Sequence, residues 1–150
     1  MYCTIKDLQD QTADQVLITL TDDEGAAPES LDEAGEAIHT RLTKAILDAT
    51  NEINSYCQAR YPVPLDPVPG FINKLTVDIA LYNLFSRRGY DESTADKAII
   101  DRYKAAVKNL ENISRGLVTL GAAAPPVSQD NTTVINSGRR LFSRDKLREF

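Results

Sequence analysis

The segment from Ser30 to Arg60 reads SLDEAGEAIHTRLTKAILDATNEINSYCQAR and decides the fold. Apolar residues recur in it at steps of three and four, which places them on one face of an α-helix. That face comprises Ile38, Leu42, Ala45, Ile46, Ala49, Ile53, Tyr56 and Cys57. The pattern predicts one long helix that begins at Ser30 or Asp32 and ends at Arg60. Tyr61-Pro62 ends it, because a residue before proline is driven out of the α region.

A second helix is predicted from about Pro69 or Gly70 to Arg88. Proline suits the first turn of a helix, and apolar side chains cover most of the circumference of this segment. A helix that is apolar nearly all round belongs at the centre of a bundle. We expect Gly89 to supply the left-handed residue that ends it.

A third helix is predicted from near Ser93 to Arg115, because it carries a single apolar stripe. Gly116 directly follows this stripe and is expected to close the helix in the left-handed conformation. We expect Leu117 and Leu120 then to fold back onto the bundle.

The first 30 residues predict two short helices, of which the first begins with a capping box formed by Thr4 and Asp7. No strand-like alternation competes with the helical patterns in residues 31–120. The sequence therefore predicts an all-α protein, an antiparallel helical bundle with one long helix, two further core helices and short N-terminal helices. We divide the chain into short helices and an acidic loop (1–30), the bundle core (31–120), and a linker with an extended C-terminal tail (121–150).

The tail ends in the sequence RRLFSRDKLREF, residues 139–150, in which apolar side chains lie among five bases. This composition favours a docking peptide for a partner or a neighbouring subunit. The alternative is a solvated end that happens to contain apolar residues. The candidate docking residues are Arg139, Arg140, Leu141, Phe142, Arg144, Leu147 and Phe150.

Charge is distributed unevenly along the chain, which has 22 acids, 17 bases and a net charge of −5. Residues 1–40 carry a net charge of −9, and the remaining 110 residues carry +4. The acidic first part argues against a dedicated nucleic-acid-binding protein, whose phosphate contacts need a basic face. A solvated surface is the simplest interpretation of these acids.

The sequence offers little for catalysis or metal binding. Cys3, His39 and Cys57 are too few for a tetrahedral Cys/His zinc site, and the cysteines are interpreted as reduced core thiols. No nucleotide-binding, hydrolase or metalloprotease motif occurs, so we predict no enzyme, no metal and no cofactor. No signal peptide or membrane span is recognised either, which favours the cytoplasm and no membrane partner.

The most distinctive pattern lies where the long helix ends: DATNEINSY at residues 48–56, RYPVPL at 60–65 and VP at 68–69. It continues with DIALYNL at 78–84, ISRG at 113–116 and LFSRD at 141–145. In order and spacing these motifs resemble the small head-to-tail connector (adaptor, head-completion) proteins of Mu-like phages and prophages. The likeness extends over about residues 2–150.

The resemblance implies a structural component of the virion that joins the portal of the capsid to the tail. It implies a homo-oligomeric ring, of twelvefold symmetry, around the DNA channel, with the portal protein and a tail or tail-completion protein as partners. DNA would pass through the lumen without specific binding. The location implied is the head-to-tail interface of the virion, and the host bacterial cytoplasm during assembly.

A ring needs heterologous contacts, in which each subunit uses two different surfaces. The basic tail is one candidate surface. The other is the proline-rich segment, residues 62–69, which is predicted to be an extended, stiff, polyproline-like spacer. A proline-rich loop that packs within its own bundle is the alternative. The candidate interface residues here are Arg60, Tyr61, Pro62, Pro64, Leu65, Pro67 and Pro69.

Two other classes of function stay open at this point. A small helical nucleic-acid-binding packaging or regulatory protein of a prophage would share the size and fold, although the net charge of −5 argues against it. A helical enzyme or cofactor-binding protein would need a polar pocket that no sequence motif indicates.

Overall fold

In a computed structural model of the chain, residues 1–89 and 97–121 are described. Within these ranges the chain forms five α-helices and one short 3₁₀ turn, with no strand, which confirms the all-α prediction. The elements are α1 (Ile5–Gln9), α2 (Asp14–Thr21), the 3₁₀ turn (Leu31–Glu33), α3 (Glu36–Cys57), α4 (Gly70–Arg88) and α5 (Lys97–Ser114). The predicted start of the third helix near Ser93 lies outside the described residues.

Helix α4 occupies the centre of the bundle and contacts each of the other four α-helices. Its buried side chains lie on all sides of the helix, as its apolar pattern predicts. Two of the buried residues are polar, Thr76 and Asp78. The Thr76 hydroxyl donates to the carbonyl of Ile72 at 2.7 Å, so its burial leaves no unpaired donor.

The contacts at the helix ends show that α3 and α4 are antiparallel. Arg41 near the start of α3 and Arg87 near the end of α4 both pair with Asp23. At the opposite end, Tyr2 contacts Asn54 near the end of α3 and Asn73 near the start of α4. We call the first the loop end, residues 21–35 and 87–89, and the second the proline end, residues 58–70 and 115–121.

The predicted capping box of α1 is confirmed. The Thr4 hydroxyl accepts from the Asp7 backbone N–H at 3.3 Å, and the Asp7 carboxylate accepts from the Thr4 backbone N–H at 2.7 Å. These bonds satisfy backbone N–H groups at the first turn of α1. Cys3 beside them is buried and free, as is Cys57, and burial raises the pKa of Cys3 to about 12.

The predicted bounds of the long helix are wrong at both ends. Helix α3 begins at Glu36 and ends at Cys57, because the chain is extended at Gly35 (φ −65°, ψ 161°) and closes a turn after Cys57. Leu31 is 1% exposed, so the short turn before α3 serves to bury this side chain. At 22 residues, α3 is about 33 Å long.

The prediction of a polyproline-like spacer is also wrong. A polyproline II helix is extended and regular, whereas the chain bends at residues 63–64 and again at residues 66–67. The segment bends back and buries Leu65 in the core. It is therefore a loop packed on its own bundle with exposed prolines along its outer side.

Gly116 closes α5 with a positive φ of 77°, as predicted. The backbone N–H groups of Leu117 and Val118 both donate to the carbonyl of Asn112, at 2.9 and 3.3 Å. This turn points Leu117 outward, where it is 73% exposed, and packs Val118 and Leu120 against the core. The expectation that Leu117 folds back is therefore wrong, and Val118 takes its place.

Gly89 also has a positive φ, 81°, but its ψ of 144° lies outside the left-handed helical region that we predicted for it. Within residues 1–89 and 97–121, no helix has the length and apolar character to cross a lipid bilayer.

Candidate partner interface at the proline end

Tyr2 anchors the proline-rich segment to the bundle. Its hydroxyl donates to Asn54 Oδ1 on α3 and accepts the backbone N–H of Leu65 at 2.8 Å. The side-chain amide of Asn73 on α4 donates to the Tyr2 carbonyl at 3.1 Å. Burial raises the pKa of the Tyr2 hydroxyl, which keeps it protonated and able to donate.

Tyr61 and Leu65 support the same segment from within, since they are only 4% and 6% exposed. The Tyr61 hydroxyl accepts the backbone N–H of Leu120 at 3.2 Å, which ties the segment to the chain beyond α5. Pro69 is partly buried and precedes the first turn of α4. The candidate interface residues that face solvent here are Pro62, Pro64 and Pro67.

Apolar side chains next to this segment are also exposed. Val68 and Phe71 are each 40% exposed, Met1 is 68% exposed and Leu117 is 73% exposed. Exposed apolar side chains that gather in one region are typical of protein interaction surfaces. The proline end thus combines an exposed apolar surface with a backbone that is hydrogen-bonded to the core.

Arg60 lies over the turn that closes α5. Its guanidinium group occupies the space that a Cβ atom on Gly116 would take. The Arg60 Nε atom is buried and has no hydrogen-bond partner within the described residues. Position 116 therefore requires glycine for two reasons: its φ is positive, and a Cβ atom there would overlap the Arg60 guanidinium.

The candidate docking residues of the tail lie outside the described residues. These are Arg139, Arg140, Leu141, Phe142, Arg144, Leu147 and Phe150.

A polar cavity of about 300 Å³ lies beside α1, α4 and α5. Asp78 lies at its inner side with a side chain that is 2% exposed, and it accepts from Lys74 Nζ and Arg102 Nε, each at 2.8 Å. The sequence analysis missed this site. The one feature of the sequence that indicates this site is Asp78, an acid four residues after Lys74 in a segment whose apolar residues lie on all sides of the helix.

Three other residues around this cavity, Asp7, Gln11 and Asn73, are also hydrogen-bonded. Asn73 donates to Asp7, and Arg102 donates to Gln11 Oε1 at 3.3 Å. Because the polar groups bind one another, the arrangement stabilises the packing of α5 on α4. In the part of the chain that the structure describes, no three His, Cys, Asp or Glu side chains form a group that could hold a metal ion.

Three helices are joined by an aromatic cluster on the side of the bundle. The rings of Tyr82 on α4 and Tyr103 on α5 stack with centroids 3.9 Å apart and planes inclined by 8°. The Tyr103 hydroxyl donates to Glu52 on α3 at 3.2 Å. Burial, with the Glu52 charge as a lesser cause, raises the pKa of Tyr103 to about 12.

The acidic loop is organised at the loop end. Asp23 pairs with Arg87, with Arg41 Nε at 3.3 Å and with Arg88 Nη2 at 3.4 Å. Arg41 and Arg87 also donate to the last carbonyls of α2, at 2.7 and 2.9 Å. The acids at positions 22–24 are therefore not only a solvated surface, because arginines from α3 and α4 partly neutralise them.

Asp22 shapes the turn that follows α2. Its carboxylate accepts the backbone N–H groups of Ala27 at 2.8 Å, Gly25 at 2.9 Å and Glu24 at 3.1 Å. These hydrogen bonds, that of Ala27 above all, lower the pKa of Asp22, and the hydrogen bond from Arg87 lowers the pKa of Asp23.

A pH dependence of the loop end follows from these two carboxylates. Because folding lowers both pKa values, their bonds stabilise the loop above the unfolded pKa of about 3.9 and are lost as the pH falls through the folded values. We expect amide hydrogen exchange at Gly25 and Ala27 to lose protection in acid. Asp22→Asn should lower that protection already at neutral pH. Asp66→Asn, at an exposed acid of the proline end, is the control and should change neither amide.

These features define an all-helical bundle protein that presents exposed prolines at one end, together with four of the six exposed large apolar side chains of its described residues. Residues 2–136 match the family model described as bacteriophage Mu gp36. The chain therefore belongs to the Mu gp36 family of bacteriophage proteins, which confirms the resemblance to Mu-like phage proteins. The Mu-like prophage FluMu protein gp36 of Haemophilus influenzae is 28% identical over 124 residues, which cover 81% of this chain and 79% of that protein.

Proposed function

We propose that this protein is a structural, non-enzymatic component of the phage virion that joins the portal of the capsid to the tail. In this proposal it forms a homo-oligomeric ring around the DNA channel at the head-to-tail interface, assembled in the host cytoplasm. The main support for this proposal is the exposed surface of the proline end. It presents exposed prolines and apolar side chains on a backbone that Tyr2, Tyr61 and Leu65 hold against the core.

Preorganisation is the physical reason why such a surface suits assembly. Proline has a fixed φ, and the neighbouring backbone is hydrogen-bonded to Tyr2, so little conformational entropy is lost on docking. Exposed apolar side chains such as Phe71 supply the area to be buried. A surface of this kind fits the portal or a neighbouring copy better than a small ligand.

The loop end supplies a second, chemically different surface. It lies about 33 Å from the proline end along α3, which has 22 residues. Residues 29–36, which comprise part of this end and the first residue of α3, carry four acids and no base. Two unlike surfaces at opposite ends permit the head-to-tail contacts that close a ring. The acids would also repel DNA in transit and so prevent it from adhering.

The charge pairing weighs against the alternative of a nucleic-acid-binding packaging or regulatory protein. Phosphate contacts need free cations, and five of the six arginines in the described ranges are paired with carboxylates of their own chain. On this proposal the partners are further copies of the chain, the portal protein and a tail or tail-completion protein, with DNA passing unbound.

The purified protein, alone and mixed with its portal protein, tests the proposal by mass-resolved light scattering and electron microscopy. We expect rings, either spontaneously or with portal. Removing residues 138–150 should preserve the helical circular dichroism and weaken docking to portal at least tenfold. A protein that stays monomeric with portal present, or that shifts DNA in a gel at moderate salt, would contradict the proposal.

A further inference from the structure

Arg60 differs from every other arginine in the described part of the chain. Five arginines each lie within 4.0 Å of a carboxylate: Arg41, Arg87, Arg88, Arg102 and Arg115. Arg60 has no carboxylate of residues 1–89 or 97–121 at that distance. Its Nε is buried without a hydrogen bond, and its guanidinium lies against the Gly116 backbone.

An anion would stabilise a guanidinium group in this position. Partial burial removes water from the charge, and an uncompensated charge away from water is costly unless a carboxylate pairs with it. The planar guanidinium with its fork of donors suits a carboxylate well. The surrounding exposed prolines and Leu117 would exclude water from such a pair once a partner docks.

Residues 122–150 and residues 29–36 are two candidate sources of such a carboxylate in the chain itself. Residues 122–150 hold three acids and five bases, so they are net cationic and poorly suited to neutralise Arg60. Residues 29–36 are anionic: the carboxylates of Glu29, Asp32, Glu33 and Glu36 are exposed and unpaired within residues 1–89 and 97–121. They lie beyond the far end of α3, about 33 Å from Arg60 for its 22 residues. They therefore reach an Arg60 only in another copy.

We propose that Arg60 of one subunit binds the acidic segment 29–36 of the next, with Asp32 and Glu33 as the principal carboxylates. The contact is heterologous, because it joins the proline end of one copy to the loop end of its neighbour. It rests on the ring proposed above and names the residues through which that ring closes.

Charge reversal tests the contact. Arg60→Glu places a carboxylate opposite the acidic segment, and like charges across an interface oppose association strongly. We expect the protein concentration at half-assembly to rise at least tenfold. The milder Arg60→Gln should raise it several-fold, and assembly of the wild type should weaken with added salt more than that of Arg60→Gln.

Arg115→Glu is the matched control. It makes the same charge change at the same end, at a residue directly after α5 that pairs with Glu111 of that helix at 3.8 Å. Assembly should change less than twofold. Circular dichroism and thermal unfolding of each monomer show whether the variants fold, and Arg60→Gln carries the test should Arg60→Glu not fold.

The restoring variant combines Arg60→Glu with Asp32→Arg and Glu33→Arg in one chain. It exchanges the signs of the charges on the two sides of the contact, so assembly should return to within a few-fold of the wild type. The variant with Asp32→Arg and Glu33→Arg alone should assemble poorly.

Three outcomes would overturn the contact. If Arg60→Glu assembles as well as the wild type, Arg60 has no part in the interface. If Arg60→Glu is defective but the exchanged charges do not restore it, the carboxylate comes from elsewhere, such as residues 122–150 or the portal. If the wild type stays monomeric even with portal present, the proposed ring itself is contradicted. This failure is distinguishable from failure of the contact because it is seen without any variant.

Discussion

Replacing Arg102 by methionine is expected to lower the free energy of unfolding by about 3 kcal/mol, because it deprives a buried carboxylate of a partner. The Asp78 side chain is 2% exposed and accepts from Arg102 and Lys74. Without Arg102, the carboxylate keeps only the ammonium group of Lys74, which is itself 65% exposed. Methionine retains the apolar stem, so the loss reflects the guanidinium and not its packing.

The opposite change should cost less. Asp78→Asn removes the buried charge and leaves behind cations that are 39% and 65% exposed, which can turn towards water. We expect a loss of about 1 kcal/mol. The double variant Asp78→Asn with Arg102→Met should be more stable than Arg102→Met alone, because no unpaired charge remains buried.

Urea denaturation of the four proteins measures this cycle, with unchanged m values as the check on two-state unfolding. The control is Arg115→Met, directly after the end of α5. The pair of Arg115 with Glu111 is exposed and should contribute less than about 0.5 kcal/mol. Equal losses for Arg102→Met and Arg115→Met would show that Asp78 does not depend on Arg102.

The central position of α4 could be predicted because the signal is local. Its apolar residues cover the helix surface, and no neighbouring segment of the chain is needed to recognise that pattern. The start of α3 could not be located in the same way. Leu31 keeps the spacing of the apolar stripe, yet it lies in a separate turn, because periodicity records which residues are buried and not whether the helix between them is continuous.

The shape of the proline-rich segment was missed for a related reason. Proline fixes φ but does not fix ψ, so the density of prolines does not determine the path of the chain. That path depends on Leu65, which is buried, and on Tyr2, which accepts its N–H from 63 residues away. Contacts of this range leave no pattern in the local sequence.

The same limit applies to contacts between polar or charged residues that are far apart in the sequence. Asp78 and Arg102 are 24 residues apart on different helices, and Arg60 meets Gly116 across the end of the bundle. The sequence predicted Arg60 as an interface residue only through the family resemblance. The structure adds that its guanidinium is the unpaired one among the described arginines.

The second large effect is expected at Tyr2. Tyr2→Ala should lower the free energy of unfolding by about 4 kcal/mol, because it removes a 4%-exposed aromatic ring together with its hydrogen bonds. Tyr2→Phe keeps the ring and loses the hydroxyl, which leaves the N–H of Leu65 and the side-chain oxygen of Asn54 without this partner. We expect about 2 kcal/mol for this change.

Tyr61→Phe is the matched control for the hydroxyl. It removes one hydrogen bond, to the Leu120 N–H at 3.2 Å, and leaves that partly buried group near solvent. A loss of about 1 kcal/mol is expected. Equal losses for Tyr2→Phe and Tyr61→Phe would show that the Tyr2 hydroxyl is not the main anchor of the segment.

Tyr2→Phe also separates local order at the proline end from stability of the whole bundle. Leu84→Ala should cost about 3 kcal/mol through a cavity in α4, near the loop end, and leave the proline-rich segment in place. Tyr2→Phe lowers the free energy of unfolding less but frees the Leu65 N–H, so hydrogen exchange at this amide should accelerate more than in Leu84→Ala.

If the proline end is the docking surface, assembly with portal should weaken more in Tyr2→Phe than in the less stable Leu84→Ala. The reverse order would mean that assembly follows bundle stability and not the order of this segment.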